Sequence, residues 1–331
     1  VEGKAASGIM VKANTEFASQ PVNDTNCFFL TSWPIVAQPL TLIDVVVQKN
    51  IESNNRLSLE FKLDGMSLVH WSGDAVSIYL SGAYPEATNF AMGLNHRLKS
   101  VSIRPQAGGT PFPLSIEFPG MNPSNSLFDV PSTIFEHLRW VRQFLSFPEK
   151  ALFFELSGFA SWPKPPGLDT FIIDFEFEDF DSFPSMKLQN SSFTINAVPA
   201  ANVFVAEGTP INVTHLKEGY LVTPLNFSRD NAQVYDVLNV RGRLPGSLEE
   251  RDFIPTTAFY GDGKSAAYQV ITMNGIRPDT LDHYLRLPFV DGHFDEPSVL
   301  SLTLRCTNGR LAEQIRLGEI NLRTPRSPEK V

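Results

Sequence analysis

A chain of 331 residues is long enough for about two domains, and each can bury a core without disulfides or metals to hold it. With 27 basic against 36 acidic residues and a net charge of −9, and with no Lys/Arg cluster, it lacks the cations that nucleic acid demands of a partner. No apolar run reaches the ~20 residues needed to cross a bilayer, and Cys27 and Cys306 are too far apart for a metal motif or disulfide framework, which favours free thiols in a reducing compartment.

Twenty-five prolines suit many short strands joined by turns. Residues 1–25 read as edge strands around GIMVKANTEFAS. The runs 27–30 (CFFL) and 40–47 (LTLIDVVV) are rich in β-formers and divided by Pro34 and Pro39. Residues 57–63 (LSLEFKL) alternate cleanly, with Leu57, Leu59, Phe61 and Leu63 on one face. Asp64-Gly65 then turns the chain into a short strand at 76–80. Pro85 opens a helix over 85–99, where Ala87, Phe90, Ala91, Leu94 and Leu98 recur at helical spacing. Strands near 101–104 and 114–118 precede a loop, 119–131, with turn chemistry throughout.

A second helix is predicted over 132–146. Thr133 and Glu136 stand at capping-box spacing, and Ile134, Leu138, Val141 and Leu145 form its apolar stripe. Pro148 stops it at or before Phe147. Glu149 and Lys150 are expected to keep the join wet, with 151–156 entering the core as a strand. Phe153 and Phe154 point to opposite faces of that strand. One is expected to fill the core against Leu138, Val141 and Leu145, the other to pack on a second layer. Residues 171–177 alternate again. The organisation resets near 190, and strands follow at 219–223, 233–240, 281–287 and 299–305, with 241–252 and 261–265 as surface. The fold class is mainly β: β-sandwich-like domains carrying two amphipathic helices, with an α+β character only minor. Residues 1–190 are read as a β-rich domain with both helices, 191–325 as a second β-rich domain and 326–331 as a tail.

Reactive motifs are sparse. The run 174–181 (DFEFEDFD) could be imagined as a calcium site, but its acids alternate with Phe175 and Phe177, the pattern of a solvated strand face over a core. His70, His96, His137, His215, His283 and His293 show no metal-ligand spacing and read as surface or satisfied interior residues. No nucleophile motif accompanies Asp282 and His283. Gly108-Gly109 and the GDG at 261–263 read as turns. Sequons at Asn23, Asn190, Asn212 and Asn226 read as chance matches in a chain with no visible secretion signal. No catalytic, cofactor-binding or metal-binding residue is assigned.

Five islands in order resemble the TssF family of type VI secretion baseplate subunits. They are VKANTEF, CFFLT and QPLTLI within 11–42; FPEKALFFELSGF at 147–159; VPAANVF at 198–204, followed by Pro210-Ile211; VYDVLNV at 234–240; and LTLRCTNGRLAEQI at 302–315. The chain departs from the family after Cys-Thr-Asn, where Gly309 and Leu311-Ala312 replace Arg and Leu-Pro. The resemblance implies a fragment lacking N- and C-terminal parts and a structural, non-enzymatic role in a contractile injection system akin to a phage tail. It also implies assembly with TssG, TssE, TssK, the VgrG spike and a second copy of the chain. The implied place is cytoplasmic, in a baseplate docked at the inner-membrane complex, without insertion into the membrane itself. Two other classes compete with this: a secreted carbohydrate-binding or adhesin-like β-sandwich, and a glycosidase working through two carboxylates.

Overall fold

Period-two alternation decides the architecture, and the chain is mainly β as expected. The structure, a computed structural model, describes residues 6, 8–48, 55–128, 136–178, 188–214, 217–243, 250–256, 267–275, 280–287, 299–316 and 318–322, of which 136, 137, 321 and 322 are described by backbone alone. Expectations that fall on Thr133, Ile134, His215, His293, residues 179–181, the GDG turn and the 326–331 tail lie outside these residues. The chain divides into two compact units, Val1–Thr15 with Thr31–Ala200, and Glu16–Leu30 with Ala201–Val331.

In the first unit, two antiparallel sheets share one core. The larger runs Leu40–Gln48, Asn55–Leu63, Thr170–Phe177, Leu98–Pro105, Phe112–Pro113. The smaller runs Ser115–Glu117, Phe153–Ser157, Ala75–Leu80, Phe193–Ile195. Leu57, Leu59, Phe61 and Leu63 are buried as their alternation predicted, and they share a cluster with Val76, Ile78, Phe154 and Leu156 from the smaller sheet. This is sandwich packing, with inner faces interdigitating. Phe154 meets Phe175 edge-on, ring centroids 6.2 Å apart.

Among the described residues, the helices longer than two turns are α1, Tyr84–His96, and α2, Glu136–Ser146. α1 buries Ala87, Phe90, Ala91 and Leu94, and Phe90 sits edge-on to Phe193 at 5.8 Å. It stops short of the predicted residue 99 because Leu98 already pairs with Phe177 in the larger sheet. The backbone hydrogen bonds of a sheet there replace those of another helical turn.

Three readings of the hinge region need correction. Residues Pro148–Leu152 form a 3-10 turn, so the strand begins at Phe153 rather than at 151. Lys150 does not keep the join wet, since it is only 2% exposed. The α2 stripe does not meet the core either. Leu138 is 56% exposed and Leu145 76%, and Val141 and Phe144 are exposed as well. The two phenylalanines do point to opposite buried faces, but Phe153 packs on Trp33 at 5.6 Å and Tyr79 at 4.6 Å instead of on the helix. Periodicity shows that a helix has two faces. It does not show which of them meets the protein.

In the second unit, Val299–Thr307 is the spine, paired antiparallel with Phe204–Glu207 on one side and Gln233–Arg243 on the other. Its register slips between Val234 and Asp236 and between Val237 and Asn239, as at β-bulges, which bend and twist a strand. Val240, Leu285, Leu300, Leu304 and Cys306 form the centre of this unit's core. Of the stretch 241–252 expected as polar surface, residues 241–243 end the strand Gln233–Arg243 and residues 250–252 open the strand Glu250–Pro255, whose side chains are mostly exposed.

Both Phe153→Ala and Phe154→Ala should destabilise the protein within the range of about 3–5 kcal/mol typical of a buried phenylalanine. Phe154, in the larger core, should cost more than Phe153, whose cluster centres on Trp33 and Ile35. Denaturant melts of the two variants check this, and an unchanged midpoint for either contradicts its placement in a core.

Candidate assembly surface

Polar residues from three of the sequence islands converge on one knot in the second unit. Asn308 accepts at Oδ1 from the Phe28 backbone N–H (3.0 Å) and from Asn202 Nδ2 (3.0 Å), and its own Nδ2 donates to the Asn231 carbonyl at 2.9 Å. Asn202 Oδ1 accepts from Thr307 Oγ1 and from the Asn308 N–H, at 2.8 and 2.9 Å. Asn202 Nδ2 donates in turn to the Phe28 carbonyl at 2.8 Å. CFFLT, PAANVF and CTN thus supply one set of mutually satisfied amides. Gly309 follows at φ +54, in the left-handed region that glycine enters without strain, at the position where the family pattern often has Arg.

A second polar knot holds α2 to the hinge. Lys150 Nζ donates to the Asn125 carbonyl and, at 3.2 Å, to Gln143 Oε1. Gln143 Oε1 also accepts from the Leu127 N–H at 3.2 Å, and its Nε2 donates to Ser126 Oγ at 2.7 Å. Burial, and next the charge of Arg139, push Lys150 down to about 8. A Cβ on Gly120 would lie 1.7 Å from the Lys150 carbonyl oxygen, so the loop passes too close for any other residue. The polar side of α2 therefore faces the protein. Its apolar side, Leu138, Val141, Phe144 and Leu145, faces out.

The residues singled out for chemistry are spread apart or already used. Asp174 is buried rather than solvated, which corrects the reading of that strand's outer face. It accepts from Arg104 Nε at 2.6 Å and from Ser58 Oγ at 2.5 Å. Glu176 accepts from Arg56 at 2.6 Å, and Glu178 lies 3.6 Å from Arg97. The strand's acids face arginines of the neighbouring strands and the nearby turn. His70 Nδ1 bonds Ser67 Oγ at 2.9 Å. His283 is buried, its Nδ1 has no hydrogen-bond partner among the described residues, and burial holds its imidazole below the usual range despite Asp236 and Asp282. The thiols of Cys27 and Cys306 are free and buried, and burial pushes Cys306 up to about 12.

Two carboxylates do meet, Glu117 opposite Glu155 across paired strands. Burial, and next the charge of Glu117, raise Glu155 above the usual carboxylate range. A cleft of about 260 Å³ lies in the second unit, lined by Thr223, Pro224, Arg229, Gln233 and Asp282 among others. Among the described residues its one lining carboxylate, Asp282, lies 3.8 Å from Arg229. Among the described residues no cluster of three or more His, Cys, Asp or Glu could hold a metal ion, and no helix is long and apolar enough to cross a membrane.

The sequence model of the family described as type VI secretion system, TssF, matches residues 1–331. The chain belongs to the TssF family. The resemblance read from the five islands is therefore borne out. A chain in the cryo-electron microscopy structure of the type VI secretion TssK-TssF-TssG baseplate subcomplex is similar in fold, with a TM-score of 0.75 over 95% of this chain at 21% identity. The TssF-family chain described here spans 58% of that chain. No curated protein matches.

Three outcomes follow from the bonds of Asp174 and Lys150. Calcium should leave the melting temperature unchanged, because Asp174 already spends both oxygens on Arg104 and Ser58 and a ligand must bind the native state to raise it. Asp174→Asn should cost about 3 kcal/mol by stranding a charge; a calcium-dependent rise, or a silent Asp174→Asn, contradicts the pairing. Lys150 gives a pH signature. Its value is lower folded than unfolded, so between about 8 and the ordinary 10.5 the unfolded chain binds more protons. Stability then rises with pH across that window. Urea titrations should show wild type gaining on a Lys150→Met variant there, and a constant difference would place the ammonium in water.

Proposed function

We propose that this chain is a structural part of a type VI secretion baseplate wedge and works by surface complementarity, with no reaction of its own. The observation that carries the reading is the family match over residues 1–331. The fold likeness to a chain of the TssK-TssF-TssG subcomplex supports it. TssG and TssK are the partners this reading names first. TssE, the VgrG spike and a second copy of the chain complete the assembly, in a cytoplasmic baseplate docked at the inner-membrane complex. The distribution of polar groups agrees with this. Asn202, Asn308, Lys150 and Asp174 are each bonded within their own unit, and among the described residues they leave no convergent set of reactive atoms. A scaffold of this kind binds through shape and exposed apolar area rather than through a catalytic cluster.

The test is co-expression of the chain with TssG and TssK from the same secretion system, followed by size-exclusion chromatography. A single co-eluting species is expected. Separate elution of all three at micromolar concentration overturns the reading.

A further inference from the structure

The inward side of α2 is polar and pinned, and its outward side is apolar. Gln143 is bonded to Ser126, Leu127 and Lys150, which fixes the helix's rotation about its axis. A helix on a soluble protein ordinarily turns its apolar stripe inward. Here Leu138, Val141 and Leu145 follow one another at helical spacing on the solvent side. The two flanks of this stripe differ. On one side Phe144 stacks on Trp140, ring centroids 5.5 Å apart at 13°. On the other stand Arg142, one turn after Leu138, and Arg139. Neither arginine makes an ion pair among the described residues, and Arg139 Nε is buried without a hydrogen-bond partner.

We propose that the outward face of α2 is a docking surface for another protein subunit, one presenting an apolar ridge with a row of carboxylates along a single flank. The proposal rests on the baseplate reading, which supplies the assembly, and adds the surface and the chemistry of its partner. Charge decides between occupants. An antiparallel self-pair centred on the stripe would set Arg142 against its own copy, where like charges repel. A bilayer is met by helices whose polar faces look to water with many cations, whereas the polar face of α2 is turned into the protein and bonded there. Carboxylates beside an apolar ridge answer both the stripe and the unpaired arginines, and such complementarity fixes register as well as partner.

The experiment uses the full chain with TssG and TssK of the same system as probes, and compares wild type with L138S/L145S and R142E. The altered side chains are exposed, so melting temperatures should hold. L138S/L145S should lose co-elution, and R142E should weaken it roughly tenfold or more. Undiminished assembly by both variants overturns the docking surface while leaving the baseplate reading intact. Wild type that assembles with neither probe overturns that reading and this inference together. Loss with the leucine pair but not with R142E overturns the carboxylate flank. A melting temperature lowered in L138S/L145S shows the stripe packed within the chain and overturns the proposal. So does self-association that L138S/L145S dissolves, or binding to phosphatidylglycerol vesicles that R142E abolishes.

Discussion

The strand Phe153–Ser157 is buried on both of its faces, and the first unit is arranged to make that possible. Phe154 and Leu156 belong to the sandwich core while Phe153 belongs to the cluster with Trp33 and Ile35. Successive strand residues alternate, so no register of this strand keeps a solvent face. Both sides must be covered, and both edges are paired, by Ser115–Glu117 and Ala75–Leu80. The segment that leads in then has little room. A 3-10 turn with Pro148 at its start compresses the entry, and Gly120 lets a neighbouring loop lie against the Lys150 carbonyl.

A lysine at such an entry is expensive, since removing a charge from water costs several kcal/mol even after the protein relaxes. Its return is directional. The Asn125 carbonyl and Gln143 Oε1 each need a donor, and one ammonium reaches both from the strand's own approach. An apolar residue there would avoid the desolvation but leave the Asn125 carbonyl unpaired in a closed space, and Gln143 Oε1 with the Leu127 N–H alone. This single group ties three separate stretches together, the loop, the helix and the hinge. It thereby sets which way α2 faces. The orientation of an exposed apolar stripe is in this sense decided beneath the helix.

What was legible in the sequence follows from how local each signal is. The alternation at 57–63 and 171–177 and the helical spacing of Ala87, Phe90, Ala91 and Leu94 are local, and the structure buries those residues. The fates of Lys150 and Asp174 were not local. Asp174 sits among phenylalanines in a pattern that also describes a wet face, and only the pairing of its strand with Ser58 and Ser102 on either side brings Arg104 within reach. Arg104 is 70 residues away in the chain, beyond any periodicity. The α2 stripe failed for a different reason. Leu138, Val141 and Leu145 do share one face, but the polar partners that turn that face outward, Ser126 and Lys150, lie on other elements.

The family islands were readable for the complementary reason. Motif residues such as Phe28, Asn202, Thr307 and Asn308 are members of one amide knot, and the bond from Phe28 to Asn308 closes across 280 positions. Each amide in the knot uses donor and acceptor at once, so a substitution at one position strands a buried group at another. Strand positions that merely fill a core tolerate exchange among apolar residues of similar volume, and connecting loops tolerate more. A short polar motif fixed at both ends of the chain therefore carries more information about the fold than the longer apolar runs between. Its residues become intelligible only as partners, which is why each island alone says little and their order says much.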